Sequence, residues 1–246
     1  MLNVYIETSG KAQPSDKDPF IITAVIIDAQ QMESLNFGIK ELKLLSLGFR
    51  EQGFRIKTND IIHGNGNLSG LSLERRKEML DRMAKIVDIS NSKIVFSSIK
   101  NKLLNRNPIE TTLLNEETAF RELILRICLA SRIFSDSEMR ILLDRNQWAH
   151  DRHLLDGVTK LIFDLFSRMG PLVLNKGSII TPPILTTSVT EPFIDIVNFI
   201  AYTVRNIYSE IKQRSIFPFT SYFNIIQSKI YKGFDQNDPK AGIFEL

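Results

Sequence analysis

The sequence predicts an α/β domain in which helices are layered on a sheet. Runs of strand length that are rich in β-branched residues, such as Phe20–Asp28, alternate with longer segments of helical periodicity, such as Gln30–Leu47. Strands that alternate with helices are typical of this class. The chain has 246 residues, of which 43% are apolar and 24% charged, a composition typical of globular proteins. We expect one domain over residues 1–246, and two smaller domains are the alternative that this length allows.

The N-terminal part predicts a pair of antiparallel strands. Val4–Glu7 is a short strand, and the polar segment Lys11–Pro19, which contains two prolines, is a loop. Phe20–Asp28 is apolar almost throughout, as in a strand that is buried on both faces.

Helical segments follow, and we expect the helical elaborations of the domain over about residues 30–90 and 212–246. The periodicity predicts a helix over Gln30–Leu47, which ends at Gly48. Phe54–Leu68 is predicted to be mainly loop because it is rich in glycine and asparagine. Ser72 is placed to cap a helix that continues to about Val87.

Strands and helices continue to alternate in the second half. Ser92–Lys100 and Glu138–Asp144 are predicted strands, while Asn115–Phe134 and His153–Met169 are predicted amphipathic helices. The rest predicts one or two strands over Leu172–Val189 broken by Pro182-Pro183, a helix over Glu191–Ile211, and a short helix over Pro218–Tyr231.

Composition excludes several functional classes. The only cysteine, Cys128, rules out a disulfide within the chain and a zinc site built from cysteines. Apolar runs are far shorter than the roughly 18 residues of a spanning helix, and Met1–Gly10 does not resemble a signal peptide. We therefore expect a cytoplasmic protein with no membrane segment. A net charge of +3 permits nucleic-acid binding without requiring it.

Acidic residues end two of the predicted strands. Glu7 ends the first strand, and Asp144 follows the apolar run Ile141–Leu143. Ligands of α/β sheets bind at the carboxyl ends of the strands. Each carboxylate on its own could equally cap a helix or face water.

A third acidic position lies on the helix Glu191–Ile211. Asp195 and Asn198 belong to a polar stripe with spacings of three and four on an otherwise apolar helix. Such a stripe can be a solvent face, but Asp195 and Asn198 lie between bulky apolar neighbours. Carboxylates that converge from several elements suit the hard cations Mg²⁺ and Mn²⁺, and two such ions roughly 3.5–4 Å apart catalyse phosphodiester hydrolysis in many enzymes.

In the order of its acidic residues and motifs, the chain resembles the domain of unknown function 3800 family of the ribonuclease H-like superfamily. The resemblance covers most of the chain, in the right order. Its motifs are Tyr5-Ile6-Glu7-Thr8-Ser9-Gly10, Phe20-Ile21-Ile22-Thr23-Ala24-Val25, Asp60-Ile61-Ile62-His63-Gly64, Ile141-Leu142-Leu143-Asp144 and Ile194-Asp195-Ile196-Val197-Asn198-Phe199-Ile200-Ala201.

The resemblance implies a ribonuclease H-like mixed sheet of about five strands flanked by helices, and metal-dependent nuclease chemistry near mobile elements or defence loci. Together with the acidic pattern, it predicts Glu7, Asp144 and Asp195 as catalytic residues, and these three with Asn198 as ligands of Mg²⁺ or Mn²⁺. The chain departs from the family where Glu7 replaces Asp, Thr8 replaces Glu and Asn198 replaces Asp. Asp195 stands where Gln is usual, so a carboxylate persists one turn earlier on the helix.

Four further residues are candidates for substrate binding. His63 lies in the motif Asp60-Ile61-Ile62-His63-Gly64. Lys57 and Arg145 are expected to flank the cleft formed by the acidic residues, where a cation could hold a phosphate. Ser9 lies two residues after Glu7 in the first motif. It has no evident His and Asp partners in a recognisable order, which argues against a serine hydrolase.

His150 and His153 could bind zinc together with an aspartate, but we favour polar residues at a helix start. Two functions follow from the sequence. The first is a divalent-metal nuclease that acts on nucleic acid. The second is a catalytically degenerate binding or interaction module with the same fold, associated with a partner protein or with a second copy of the chain.

Overall fold

The computed structural model describes residues 1–10, 19–48, 54–99, 108–131, 133–134, 138–145, 160, 164, 179–209 and 216–232. Five strands form one sheet: β1 (Leu2–Ser9), β2 (Phe20–Asp28), β3 (Lys93–Ile99), β4 (Glu138–Asp144) and β5 (Ile179–Thr186). Their order across the sheet is β3-β2-β1-β4-β5.

The sheet is mixed, with β1 at its centre. β1 pairs antiparallel with β2, and β2 pairs antiparallel with β3. On the other side β1 pairs parallel with β4, and β4 pairs parallel with β5. The predicted antiparallel pairing of the first two strands is therefore confirmed. So is the predicted α/β architecture, a mixed sheet of five strands flanked by helices.

Six helices of four residues or more are described: α1 (Met32–Leu47), α2 (Thr58–His63), α3 (Leu73–Ile89), α4 (Pro108–Ser131), α5 (Ile194–Tyr208) and α6 (Phe219–Lys229). Apolar residues of α1, α2, α3, α5 and α6 form one core with the sheet face that carries Tyr5 and Leu142. The opposite face, which carries Val4 and Ile6, packs against α4. Burial of apolar side chains on both faces provides the main driving force for this layering.

The loop predicted for most of Phe54–Leu68 is wrong from Thr58 onward, where α2 and then a 3₁₀ turn at Gly66–Leu68 form. The Asn198 side chain accepts a hydrogen bond from the backbone N–H of Thr58, the first residue of α2, at 3.0 Å. Gly64 ends the helix with φ of 64°, which is a conformation that favours glycine. The cap comes from a residue 140 positions away, so no local sequence pattern could indicate it.

Other predicted boundaries also differ, among them those of the first strand, which extends over Leu2–Ser9, and of α5, which begins at Ile194. α4 begins at Pro108 rather than at Asn115, because proline is well suited to the first position of a helix, where its missing N–H needs no partner. β5 runs unbroken through Pro182-Pro183. In the described sheet β5 is an edge strand, and its register with β4 shifts between Arg140 and Leu142; edges and irregular positions are where strands tolerate proline.

In the described part of the chain, no helix has both the length and the apolarity that crossing a bilayer requires. The helix predicted over His153–Met169 falls almost wholly outside the described residues, and so do His150 and His153.

Candidate active site

Glu7 lies two residues before the end of β1, and Asp144 is the last residue of the neighbouring strand β4. β1 and β4 are parallel, and Tyr5 is aligned with Leu142 and Ile6 with Leu143. Because side chains alternate along a strand, Glu7 shares the face of Tyr5 and Asp144 shares that of Leu142, which is the face that carries the larger helical core. Both residues are buried, with exposures of 2% and 0%.

A single guanidinium group contacts both carboxylates. Arg55 donates from Nη2 to Glu7 Oε1 at 3.0 Å, and its Nη1 forms an ion pair with Asp144 Oδ2. The Arg55 side chain retains 12% exposure, so it reaches the buried pair from the edge of the protein. The two carboxylates therefore share one positive charge, and a side chain of the protein itself, Arg55, supplies it.

Burial makes the charged form of Glu7 costly. It raises the pKa of Glu7 from its ordinary 4.5 to about 7, with Asp144 adding to the rise, while Arg55 and the Asn198 amide oppose it. A carboxyl group whose pKa lies so close to neutrality is uncommon outside functional sites. Its environment is therefore a reason, independent of any motif, to regard this edge of the sheet as a functional site.

Asp195 contributes a third buried carboxylate from the first turn of α5. Its Oδ2 lies 2.7 Å from Lys43 Nζ, and neither side chain is exposed. Lys43 belongs to α1, and its Nζ also lies 3.5 Å from the carbonyl oxygen of Ser188. Burial raises the pKa of Asp195 from 3.8 to about 6, while Lys43 favours the charged form. The polar stripe of this helix is thus not a solvent face at Asp195.

Asn198 joins the helix α5 to the strand end. Its Nδ2 donates to Glu7 Oε1 at 2.8 Å, while its Oδ1 accepts from the Thr58 backbone N–H. The amide oxygen therefore points to α2 and the amide nitrogen to the carboxylate. In this arrangement Asn198 positions Glu7, and its predicted role as a metal ligand remains a prediction.

The short segment Arg55–Thr58 touches every acidic member of the site and Asn198. Arg55 binds Glu7 and Asp144, and Thr58 binds Asn198. Between them, the backbone N–H of Ile56 favours the charged form of Asp195. The Ile56 side chain is fully buried, which anchors this segment over the site.

The predicted substrate-binding residues are close in the chain to residues of the site or lie on α2, and none of them is fully buried. Ser9 and Arg145 follow Glu7 and Asp144 in the chain, and Lys57 follows Ile56; Arg145 and Lys57 are exposed and Ser9 is half-buried. His63 is exposed at the opposite end of α2 from Thr58. Their roles toward a substrate remain predictions.

Sequence reasoning missed Lys43 and Arg55 as the cations that pair with the three buried carboxylates. A signal was present for Lys43, which falls four residues after Ile39 on the buried stripe of α1. A lysine on a buried stripe needs a partner of opposite charge. For Arg55 the signal was weaker, since it lies between the apolar residues Phe54 and Ile56 in a segment without regular structure.

The oxygen atoms of these carboxylates are the donors that a divalent cation would use. Across the described ranges, no three His, Cys, Asp or Glu side chains are grouped so as to hold a metal ion. Glu7 and Asp144 nevertheless hold a cationic group between them, and carboxylate oxygens are what Mg²⁺ and Mn²⁺ prefer. The pair fits a divalent cation if Arg55 moves aside, while Asp195 is engaged by Lys43.

Comparison with known proteins finds no matching family model and no matching curated protein. Among solved structures, the chain is similar to the ribonuclease H2 from Pyrococcus horikoshii OT3, with 13% identity, 91% of this chain and 85% of that chain covered, and a TM-score of 0.44. It is also similar to the ribonuclease HII of Archaeoglobus fulgidus in its complex with PCNA, with 15% identity, coverages of 82% and 71%, and a TM-score of 0.40. The resemblance to the domain of unknown function 3800 family therefore remains a prediction, and the fold rests on the sheet order and pairing.

Proposed function

We propose that the protein is a hydrolase of nucleic-acid phosphodiesters that depends on Mg²⁺ or Mn²⁺. The observation that carries this proposal is that Glu7 and Asp144, on adjoining strand ends, jointly hold a cation. Buried carboxylates destabilise a fold unless they are compensated, and Glu7 has its pKa raised to about 7. A cluster that costs stability at the carboxyl ends of strands is typical of a catalytic site.

In this proposal Glu7 and Asp144 hold the cation. When bound, it supplies a nucleophilic water at neutral pH and neutralises charge on the phosphodiester. Asn198 fixes the orientation of Glu7 through its amide nitrogen. Ser9, Lys57, Arg145 and His63 are assigned to binding the substrate, with the two exposed cations Lys57 and Arg145 holding backbone phosphates.

A second candidate function is a binding or interaction module that lacks catalysis. The observation that favours it is that Arg55 and Lys43 already neutralise two of the three negative charges. Such a module would need no metal. Either function is compatible with a cytoplasmic protein that serves a defence or mobile-element system together with a partner protein or a second copy of the chain.

The test compares wild type with Asp144→Asn on single- and double-stranded DNA and RNA, with Mg²⁺, with Mn²⁺ and with a chelator. We expect metal-dependent cleavage by wild type. The cleavage rate of the variant should be lower by at least about a hundredfold, as when a group that stabilises the transition state is removed. Asp88→Asn, an exposed aspartate of α3, is the matched control. Equal cleavage by wild type and Asp144→Asn would indicate a contaminant, and no cleavage by either would favour the module.

A further inference from the structure

We propose that the two internal cations have different roles: Lys43 is a permanent counter-ion of Asp195, while Arg55 yields its place between Glu7 and Asp144 to a single divalent cation. The inference rests on the proposed function, because it specifies how that same site takes its metal. It predicts one ion per chain instead of the two that the converging carboxylates first suggest.

Lys43 cannot readily leave Asp195. Both side chains are completely buried, and the contact of 2.7 Å joins two helices, α1 and α5. Ser188, which precedes α5, provides a second oxygen for the ammonium group at 3.5 Å. A second contact holds the same face of α1 against the start of α5, because Asn36 Oδ1 accepts a hydrogen bond from the Phe193 backbone N–H at 3.2 Å. Withdrawal of Lys43 would leave a buried charge without compensation.

Arg55 is held less firmly. Its side chain is partly exposed, and it belongs to the described residues 54–57, which have no regular secondary structure and directly precede α2. A long, flexible side chain on such a segment can move its guanidinium to water while its backbone stays in place. The buried Ile56 and the Thr58–Asn198 hydrogen bond keep the segment attached during this exchange.

The charge balance favours one ion. With all carboxylates ionised, Glu7, Asp144 and Asp195 carry −3, and Arg55 and Lys43 carry +2, which leaves −1. Replacing the guanidinium by one divalent cation makes the cluster neutral. A second divalent cation would bring the buried cluster to +2, and uncompensated charge in an apolar interior is strongly unfavourable.

The experiment counts Mn²⁺ ions bound per chain, from the electron paramagnetic resonance signal of free Mn²⁺ during titration of the full chain. Wild type should bind one ion, and Asp144→Asn should bind at least about tenfold more weakly because a ligand charge is lost. Arg55→Met should bind one ion about tenfold more tightly, since the competing cation is removed. Arg75→Met, an exposed arginine of α3, is the control for loss of one positive charge and should leave the affinity unchanged.

The outcomes separate this inference from the proposed function. Two ions per wild-type chain, or weaker binding by Arg55→Met, would overturn the exchange while leaving a metal-dependent nuclease in place. Binding by Arg55→Met alone would show that Arg55 is as permanent as Lys43 and would also overturn the exchange. No binding by either protein would overturn both the inference and the proposed metal dependence.

Circular dichroism at each titration point checks that each variant is folded. If Arg55→Met fails to fold, Arg55→Lys replaces it. A shorter point charge bridges two carboxylates less well than the guanidinium fork. This variant should therefore also bind Mn²⁺ more tightly than wild type, and unchanged or weaker binding would overturn the exchange.

Discussion

Lys43 Nζ lies 2.7 Å from Asp195 Oδ2, and neither side chain is exposed to solvent. The pair joins α1 to α5 beside the strand ends that carry Glu7 and Asp144. Its members are 152 positions apart in the chain, so the contact exists only once the sheet has assembled. It neutralises the one acidic residue of the site that Arg55 does not contact.

Removing the lysine alone should destabilise the protein. Lys43→Met leaves Asp195 buried with no compensating charge, which costs about 3–5 kcal/mol of unfolding free energy in comparable cases. The double variant Lys43→Met with Asp195→Leu should recover most of that loss, because an apolar pair needs no compensation. Urea denaturation measures both, with the exposed Lys40→Met as the control. A loss below about 1 kcal/mol in Lys43→Met would contradict a buried ion pair.

The stability of the protein should fall as pH rises from about 4.5 to 7. Burial raises the pKa of Glu7 from 4.5 to about 7 and that of Asp195 from 3.8 to about 6. Between these pKa values the folded state binds more protons than the unfolded state. The contribution of the two groups to the unfolding free energy is therefore fully present at low pH and is lost as pH rises through their folded-state pKa values.

Each group contributes a slope of up to about 1.4 kcal/mol per pH unit. Glu7→Gln cannot titrate, so its unfolding free energy should be flatter than that of wild type between pH 6 and 7. Urea denaturation at closely spaced pH values measures the two slopes. Identical slopes in the two proteins would mean that Glu7 does not titrate in this window.

Much of this site was predictable from the sequence because strand ends meet at one edge of a parallel pair. Glu7 lies near the end of β1 and Asp144 ends β4, both apolar patterns are clear, and the parallel pairing of these strands brings the two residues to one edge. Lys43 and Arg55 were not predictable as their partners, because each contact depends on packing between distant elements. A lysine in a helix is usually solvated, and only its place on the buried stripe distinguishes Lys43.

The same reasoning explains the missed helix α2. Its six residues are too few for a periodic pattern to be recognised, and isolated helices of this length are not stable in water. It forms because Asn198 caps its first turn and because Thr58 and Ile61 are buried in the core. Tertiary contacts therefore decide its structure, while the glycine and asparagine content of the segment predicts a loop.

Asn198→Asp should destabilise the metal-free protein, although it makes the chain more like the family that it resembles. The amide nitrogen that donates to Glu7 Oε1 at 2.8 Å would become an oxygen, which places two acceptors of like charge in contact. We expect a loss of about 1–3 kcal/mol at pH 8, and a smaller loss at pH 5, where the two carboxylates can share a proton.

Chemical denaturation of Asn198→Asp at both pH values measures this difference, with the exposed Asn59→Asp as the control. Mn²⁺ should reduce the loss at pH 8, because a cation between the carboxylates removes the repulsion. Equal stability of Asn198→Asp and wild type in the absence of metal would mean that the Asn198–Glu7 hydrogen bond does not orient Glu7.

Gly10 should not tolerate a side chain. Its φ is +89°, and a Cβ atom there would lie 2.6 Å from the backbone oxygen of Pro19. Gly10→Ala should therefore lower the unfolding free energy by about 1–3 kcal/mol. Gly38→Ala on α1, where a Cβ atom meets nothing within 4 Å, is the control and should be neutral or stabilising. Similar melting temperatures for the two variants would contradict the close approach at Gly10.

The most direct test of the central claim is a crystal structure of the full chain with Mn²⁺, with the ion located by its anomalous scattering. We predict one anomalous peak within about 2.5 Å of carboxylate oxygens of both Glu7 and Asp144, with the Arg55 guanidinium displaced and Lys43 still on Asp195. A peak bound to Asp195 with Lys43 displaced, or no peak in a crystal where Arg55 still bridges Glu7 and Asp144, would contradict the account.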